Sequence, residues 1–192
     1  MDLRALRAAN INRNAAWPGA GKFDLAYRGL ELGGETGELL ELLTGMGMGA
    51  DHLEIKRPEL AEELADVVIA TDLVAMDLGV ELLAPVRCSS GDILRGAADL
   101  ATRVGLLQNR LKKLIRIDTG IQGQKADEDP QRREAIITEI IADLDCILDG
   151  VAGLSCGFGI DLDAAIPDKF DKTSRKNGLD AFFHDTASPE PA

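Results

Sequence analysis

Long stretches of helical periodicity, cut apart by proline, constrain this chain more than any other feature. Prolines stand at 18, 58, 85, 130, 167, 189 and 191. Between them apolar residues recur at three- and four-residue spacing, and no segment shows the alternation of a half-buried strand. Only 4% of the residues are aromatic, which removes many of the best strand formers. The periodicity predicts helices over about 24–44, 58–79, 91–117, 130–157 and 162–177, with a weaker one near 2–13. The expected fold is all-α, a helical bundle with no sheet. Pro58 and Pro130 are expected in first helical turns, where proline is tolerated. Pro167 requires the last helix to start near Asp163, so that its missing amide falls in the first turn. The run Gly-Met-Gly-Met-Gly over 45–49 predicts a loop, and the polar stretch 118–130 predicts a mobile connection. The tail after about 180 predicts disorder. Residues 1–180 are then one domain.

Composition narrows the function. The 192 residues carry 33 acids against 21 bases, a net charge of −12. A nucleic-acid duplex would repel such a surface. No apolar run approaches the roughly 18 residues of a membrane span. The start, Met1 to Arg7, is charged and lacks the apolar core of a signal peptide. Cys88, Cys146 and Cys156 are odd in number and show no CxxC spacing. They are expected as buried thiols in a reducing cytoplasm.

The acids are patterned. Glu31, Glu35 and Glu38 lie at i, i+4 and i+7 in one predicted helix, and Glu59, Glu63 and Asp66 repeat that spacing in the next. At about 100° per residue, each trio falls on one helical face. The apolar stripe Leu60, Leu64, Val67, Thr71, Val74 and Leu78 lies beside the second trio rather than opposite it. The acids are therefore expected at the margin of a helix–helix interface. Like charges at this spacing cost a few tenths of a kcal/mol per pair on an exposed helix, and more where solvent is lost. Two accounts are open. The trios form a solvated acidic face, or they hold a hard divalent cation, which prefers carboxylate oxygen.

The same spacing returns later in the chain. A shift of eighty positions carries Glu59/Glu63/Asp66 onto Glu139/Asp143/Cys146, and Gly79-Val80-Glu81-Leu82 onto Gly159-Ile160-Asp161-Leu162. In the other helix pair, Glu31/Glu35/Glu38 maps onto Asp99/Arg103/Leu106, with Gly37 on Gly105. The chain reads as two diverged helix–loop–helix copies, at about 24–82 and 91–162, followed by a closing helix at 162–177. Copy two lacks half of the acids, so a metal site is expected in copy one alone.

Gly34-Glu35-Thr36-Gly37-Glu38-Leu39 and Glu62-Glu63-Leu64-Ala65-Asp66-Val67-Val68 resemble the ExxE…ExxD signature of the all-α nucleotide pyrophosphohydrolases, the MazG-like and dimeric dUTPase superfamily. The flanks are similar too. Asn12-Arg13, Trp17 and Tyr27-Arg28-Gly29-Leu30-Glu31-Leu32 look like the family lead-in. Gly159-Ile160-Asp161-Leu162 and the segment from Lys169 to Leu179 look like its closing helix. The resemblance covers about residues 10 to 180.

It implies Mg²⁺-dependent cleavage of a nucleoside triphosphate to a monophosphate and pyrophosphate, with Mn²⁺ as an alternative ion. Glu35, Glu38, Glu63 and Asp66 would hold the metal. The proton of the attacking water would pass to Glu62 or to one of those four. Lys169, Lys172 and Arg175 are candidate phosphate contacts, or else a basic last turn that complements the helix dipole. Arg103 is expected to face phosphates or to pair with a neighbouring acid. Trp17 is expected to stack on a base or to pack. The resemblance also implies a cytoplasmic homodimer in nucleotide-pool housekeeping.

Two other readings are open. A di-iron carboxylate bundle needs Glu-x-x-His on two helices. The only histidines are His52, read as a loop residue, and His184 in the tail. A helical binding or scaffold protein without catalysis would leave the acids of copy one without a purpose.

Overall fold

Aspartate side chains start most of the helices. Asp2, Asp24, Asp92, Asp129 and Asp161 each accept a backbone N–H from the turn that follows, as a short carboxylate at an N-cap does. The computed structural model describes residues 1–46, 50–85, 92–121 and 129–186. Over them run α1 (Leu3–Ala16), α2 (Leu25–Gly45), α3 (Ala50–Leu78), α4 (Ile93–Thr119), α5 (Pro130–Phe158) and α6 (Leu162–Lys176). Two short 3-10 helices, Ala20–Lys22 and Phe183–Thr186, complete the order. No strand occurs among the described residues.

The helices α2 and α3 pack on each other as one hairpin, and α4 and α5 as a second. The hairpins meet through α2 on α4 and α3 on α5, while α1 and α6 both cover α3. The stripe read from the sequence is the core face of α3, with Leu60, Leu64, Val67, Thr71 and Val74 at 0% exposure. On α5, Ile140, Leu144, Ile147, Val151 and Leu154 are buried at the same spacing. Burying one such aliphatic side chain contributes about 1.5–3 kcal/mol, so these two stripes hold the hairpins together.

Both long helices end alike. Gly79 and Gly159 take positive φ of 68° and 64°. The next amide then bonds back, Val80 N to Ala75 O at 3.0 Å and Ile160 N to Ser155 O at 2.8 Å. A residue with a Cβ resists that left-handed conformation. Glycine also lets α2 and α4 approach closely. A Cβ on Gly29 would lie 2.8 Å from Leu111 Cδ1, and one on Gly33 would lie 2.1 Å from Gln108 Nε2.

Several boundaries differ from the sequence expectation. The α3 helix begins at Ala50 rather than 58, which places position 52 within the helix and Pro58 in its interior. Both Pro58 and Glu54 are exposed, so the carbonyl that loses its amide partner can be hydrated. Pro167 stands in the second turn of α6, not the first. Of the expected glycine loop, residues 47–49 lie outside the described residues, as do 122–128 of the expected polar connection. The expected disorder after 180 does not begin there. Ala181 and Phe183 are buried, and the Phe183 ring meets Phe170 edge-on at 5.8 Å. Residues 187–192 lie outside the described residues.

The three cysteines are not three thiols. Cys146 is free, whereas Cys156 is disulfide-bonded. Cys88 lies outside the described residues. An odd count without CxxC spacing does not say which sulfurs meet in space. No helix among the described residues is long and apolar enough to cross a membrane.

Candidate metal centre and adjoining pocket

The pairing of α2 with α3 brings the two acidic ladders face to face. Glu35 from α2 and Glu63 and Asp66 from α3 each offer a carboxylate oxygen, and these oxygens lie within 4.8 Å of one another. No other such group occurs among the described residues. All three side chains are half-buried, the margin position that the neighbouring apolar stripe predicts.

Crowding of acids shifts their protonation. Burial, reinforced by Asp66, Glu38 and Glu63, pushes Glu35 up to about 7. Burial and then the Asp66 charge raise Glu63. Burial also raises Asp66, outweighing the nearby Lys169 ammonium. Glu63 Oε2 is buried with no hydrogen-bond partner. A buried acceptor left in that state costs about 1–3 kcal/mol. A cation held between these carboxylates would remove the cost. Three carboxylate oxygens around one point could hold a metal ion.

The remaining sequence candidates fall into three places. Glu38 lies outside the trio and, with Glu41, Glu59 and Glu63, lines an acidic cavity on the next turn outward. From α6, Lys169 Nζ reaches Asp66 Oδ2 at 2.6 Å and Glu62 Oε2 at 3.5 Å. Lys172 Nζ clasps both oxygens of Glu62, at 2.6 and 2.7 Å. That hydrogen bond holds Glu62 below the usual carboxylate range, which makes it a weak base. Burial alone would lower the Lys169 ammonium, but its Asp66 bond and the surrounding acids carry it above its ordinary value. Arg175 pairs with Asp171 at 3.4 Å and lies over the Phe182 ring, and no ion pair joins it to the trio.

Arg103 is in the other hairpin. Its Nη1 lies 3.6 Å from Asp143 Oδ1, and Arg110 donates to both Asp143 and Glu139. Of the two roles open to Arg103 on sequence, the structure shows pairing with an acid. Asp143 is 1% exposed, so these guanidinium groups neutralise a buried charge.

Trp17 lines a pocket of about 80 Å³ beside the trio, between α1, α2, α3 and α6. It meets Phe23 edge-on at 6.4 Å, and Phe23 in turn lies 4.8 Å from Tyr27. The walls add Asn10, Arg13, Asn14, Arg28 and Glu31. None of these five was marked as a pocket residue by sequence reasoning. A signal was present. Leu3, Leu6, Asn10 and Arg13 follow the period of a single buried face, and Arg28 lies on the buried face of α2. Polar residues on an apolar stripe mark a place where helices part.

No protein-family model, curated protein or solved structure matches this chain. The class that fold and site define is an all-α bundle with one carboxylate trio, among the described residues, able to hold a metal ion.

Proposed function

We propose that this protein is a divalent-metal-dependent nucleoside triphosphate pyrophosphohydrolase. The observation that carries the reading is the convergence of Glu35, Glu63 and Asp66, drawn from both ladders, around one point. These three would hold Mg²⁺, with Glu38 one helical turn away as a further contact through water or a second ion. A bound Mg²⁺ supplies charge neutralisation of phosphate oxygens and a more acidic bound water. The chain's own groups supply the rest. Lys169 stands at the edge of the trio, where it can exchange Asp66 for a phosphate oxygen. Glu62, tied to Lys172, orients that lysine rather than taking a proton. Trp17, Phe23 and Tyr27 offer aromatic surface for a base, and Asn14 offers an amide.

The paired hairpins support a second part of the proposal, that the chain is two diverged copies of one unit. Both α3 and α5 are 29 residues long, eighty positions apart at each end, with the same glycine cap. The N-caps of α2 and α4, Asp24 and Asp92, are likewise in register with their helix starts. One chain then contains the arrangement that two subunits would otherwise form, with one site instead of two.

The test is pyrophosphate release over a panel of ribo- and deoxyribonucleoside triphosphates, with and without Mg²⁺. Metal-dependent release from at least one nucleotide is expected. If no nucleotide yields pyrophosphate and Mg²⁺ leaves the unfolding temperature unchanged, the scaffold reading takes its place.

A further inference from the structure

Arg13 is a buried cation without a carboxylate contact. It is 8% exposed, and it forms no ion pair among the described residues. The acids that act on it most are Glu31 and Asp66. Both are engaged elsewhere, Glu31 by Arg28 at 2.9 Å and Asp66 by Lys169 at 2.6 Å. A guanidinium carries five N–H donors. Those of Arg13 reach the Phe170 carbonyl at 3.5 Å and Asn10 Oδ1 at 3.4 Å. Both distances are at the long limit of a hydrogen bond. Arg28, across the same pocket, differs. It bonds Asn14 at 2.6 Å and pairs with both Glu31 and Asp77. Burial therefore outweighs the attraction of Glu31 and Asp66, neither in contact with it, and lowers that guanidinium to about 10. Leaving a buried charge unpaired is costly, and an anionic ligand group would supply the missing partner.

The surroundings say which anion. The guanidinium is stacked over the Phe170 ring, 3.7 Å from its centroid, which fixes its plane. A planar fork of donors matches phosphate oxygens two at a time. Asn14 and Thr173 border the same space with an amide and a hydroxyl. The space of about 80 Å³ corresponds to roughly six waters at 10–15 Å³ each. That is room for a phosphoryl group and little more, so anything attached to it must lie outward, over Trp17 and Tyr27. Consecutive residues of α6 join the two sites, since Lys169 touches Asp66 and Phe170 lies under Arg13.

We propose that Arg13 anchors the phosphoryl group bonded directly to the nucleoside, so that the pocket retains a nucleoside monophosphate without metal. The assignment of the attached group as a nucleoside rests on the pyrophosphohydrolase reading; the phosphoryl anchor does not.

Trp17 is the sole tryptophan of the chain, so its fluorescence reports this pocket. The full chain is titrated in chelator with nucleoside monophosphates, with inorganic phosphate and with a nucleoside lacking phosphate. Monophosphates are expected to give a saturable change and the bare nucleoside little. Arg13→Lys keeps the charge but loses the fork and the stacking, so it should weaken binding several-fold, and Arg13→Gln should lose at least about tenfold. If Arg13→Gln does not fold, Asn14→Asp serves instead. It keeps the bond to Arg28 but sets a negative charge beside the anion, and binding should weaken by about tenfold. No saturable response to any phosphate, or unchanged affinity in the folded variant, overturns the anchor. Inorganic phosphate binding as tightly as the monophosphates overturns the nucleoside assignment and leaves the anchor. Arg13-dependent binding without pyrophosphate release from any triphosphate defeats the proposed activity, not the anchor.

Discussion

The two hairpins carry acids at the same helical spacing and treat them in opposite ways. In α4 and α5, Asp143 is fully buried, and Arg110 and Arg103 meet it. The acid is a structural partner, and its charge is balanced within the hairpin. In α2 and α3, Glu35, Glu63 and Asp66 lie half-buried against one another, and Lys169 from α6 is the cation that touches the trio. Position 103, on α4, is arginine, whereas position 35, on α2, is glutamate. Two arginines against one buried aspartate give a neutralised group, whereas one lysine against three carboxylates leaves a cluster with charge to spare. Unbalanced charge next to a core is a cost that folding alone gives no reason to keep. The trio in the first hairpin could hold a metal ion.

The contrast is sharpest in turnover. Glu63→Gln should reduce Mg²⁺-dependent pyrophosphate release by about 100-fold or more, because a ligand oxygen worth several kcal/mol is lost. Asp143→Asn should leave the rate per folded molecule nearly unchanged. Equal losses in the two variants would erase the distinction between the hairpins.

Stability should show the reverse order. Asp143→Asn leaves two arginines without their buried partner, and breaking such a pair costs about 3–5 kcal/mol. With Arg103 46% exposed, the lower end is expected, read as a fall in denaturation midpoint. Glu35→Gln removes one of several crowded acids. Without metal at pH 8 it should be neutral or stabilising by up to about 1 kcal/mol. A large loss from Glu35→Gln would show that this carboxylate is a structural partner after all.

Mg²⁺ should raise the unfolding temperature of the parent protein and of Asp143→Asn, but not of Glu63→Gln. At a hundredfold excess over its dissociation constant the gain is about 2.7 kcal/mol. A similar gain in Glu63→Gln would place the ion elsewhere.

The smallest effect is in pH dependence. Glu35 is raised from 4.5 to about 7 in the folded chain, and Glu63 and Asp66 are raised too. Between those values the folded state binds more protons than the unfolded one. These groups therefore lower stability as pH climbs from about 4.5 to 7. Denaturation midpoints without metal should follow that trend, and saturating Mg²⁺ should flatten it. A metal-free protein that gains stability across this range in parallel with Glu35→Gln would contradict the crowding of charge at the trio.

Helix content and the buried stripe of α3 are legible in the sequence because both follow from local repetition. A period of 3.6 residues names a face without reference to any partner, and Leu60, Leu64, Val67, Thr71 and Val74 are that face. The glycine ends at 79 and 159 are legible for the same reason, since a positive φ selects glycine locally. The start of α3 is not. Pro58 reads as a first turn, and only an exposed, hydratable position lets the helix run through it.

The sequence by itself determined that the acids Glu35, Glu63 and Asp66 share faces beside apolar residues, because spacing on a helix is a one-dimensional property. The tertiary structure alone decided which acids meet. Glu38, at the same spacing, is left outside the trio, and Glu62, next to Glu63 in sequence, is tied to Lys172 from more than a hundred positions away. It alone decided that Arg103 and Arg110 quench Asp143, that Cys156 is paired, and that Glu31, the acid of the Arg13 pocket, pairs with Arg28 instead of Arg13. Charge compensation is a sum over distances between elements, and those distances exist only once the helices have packed.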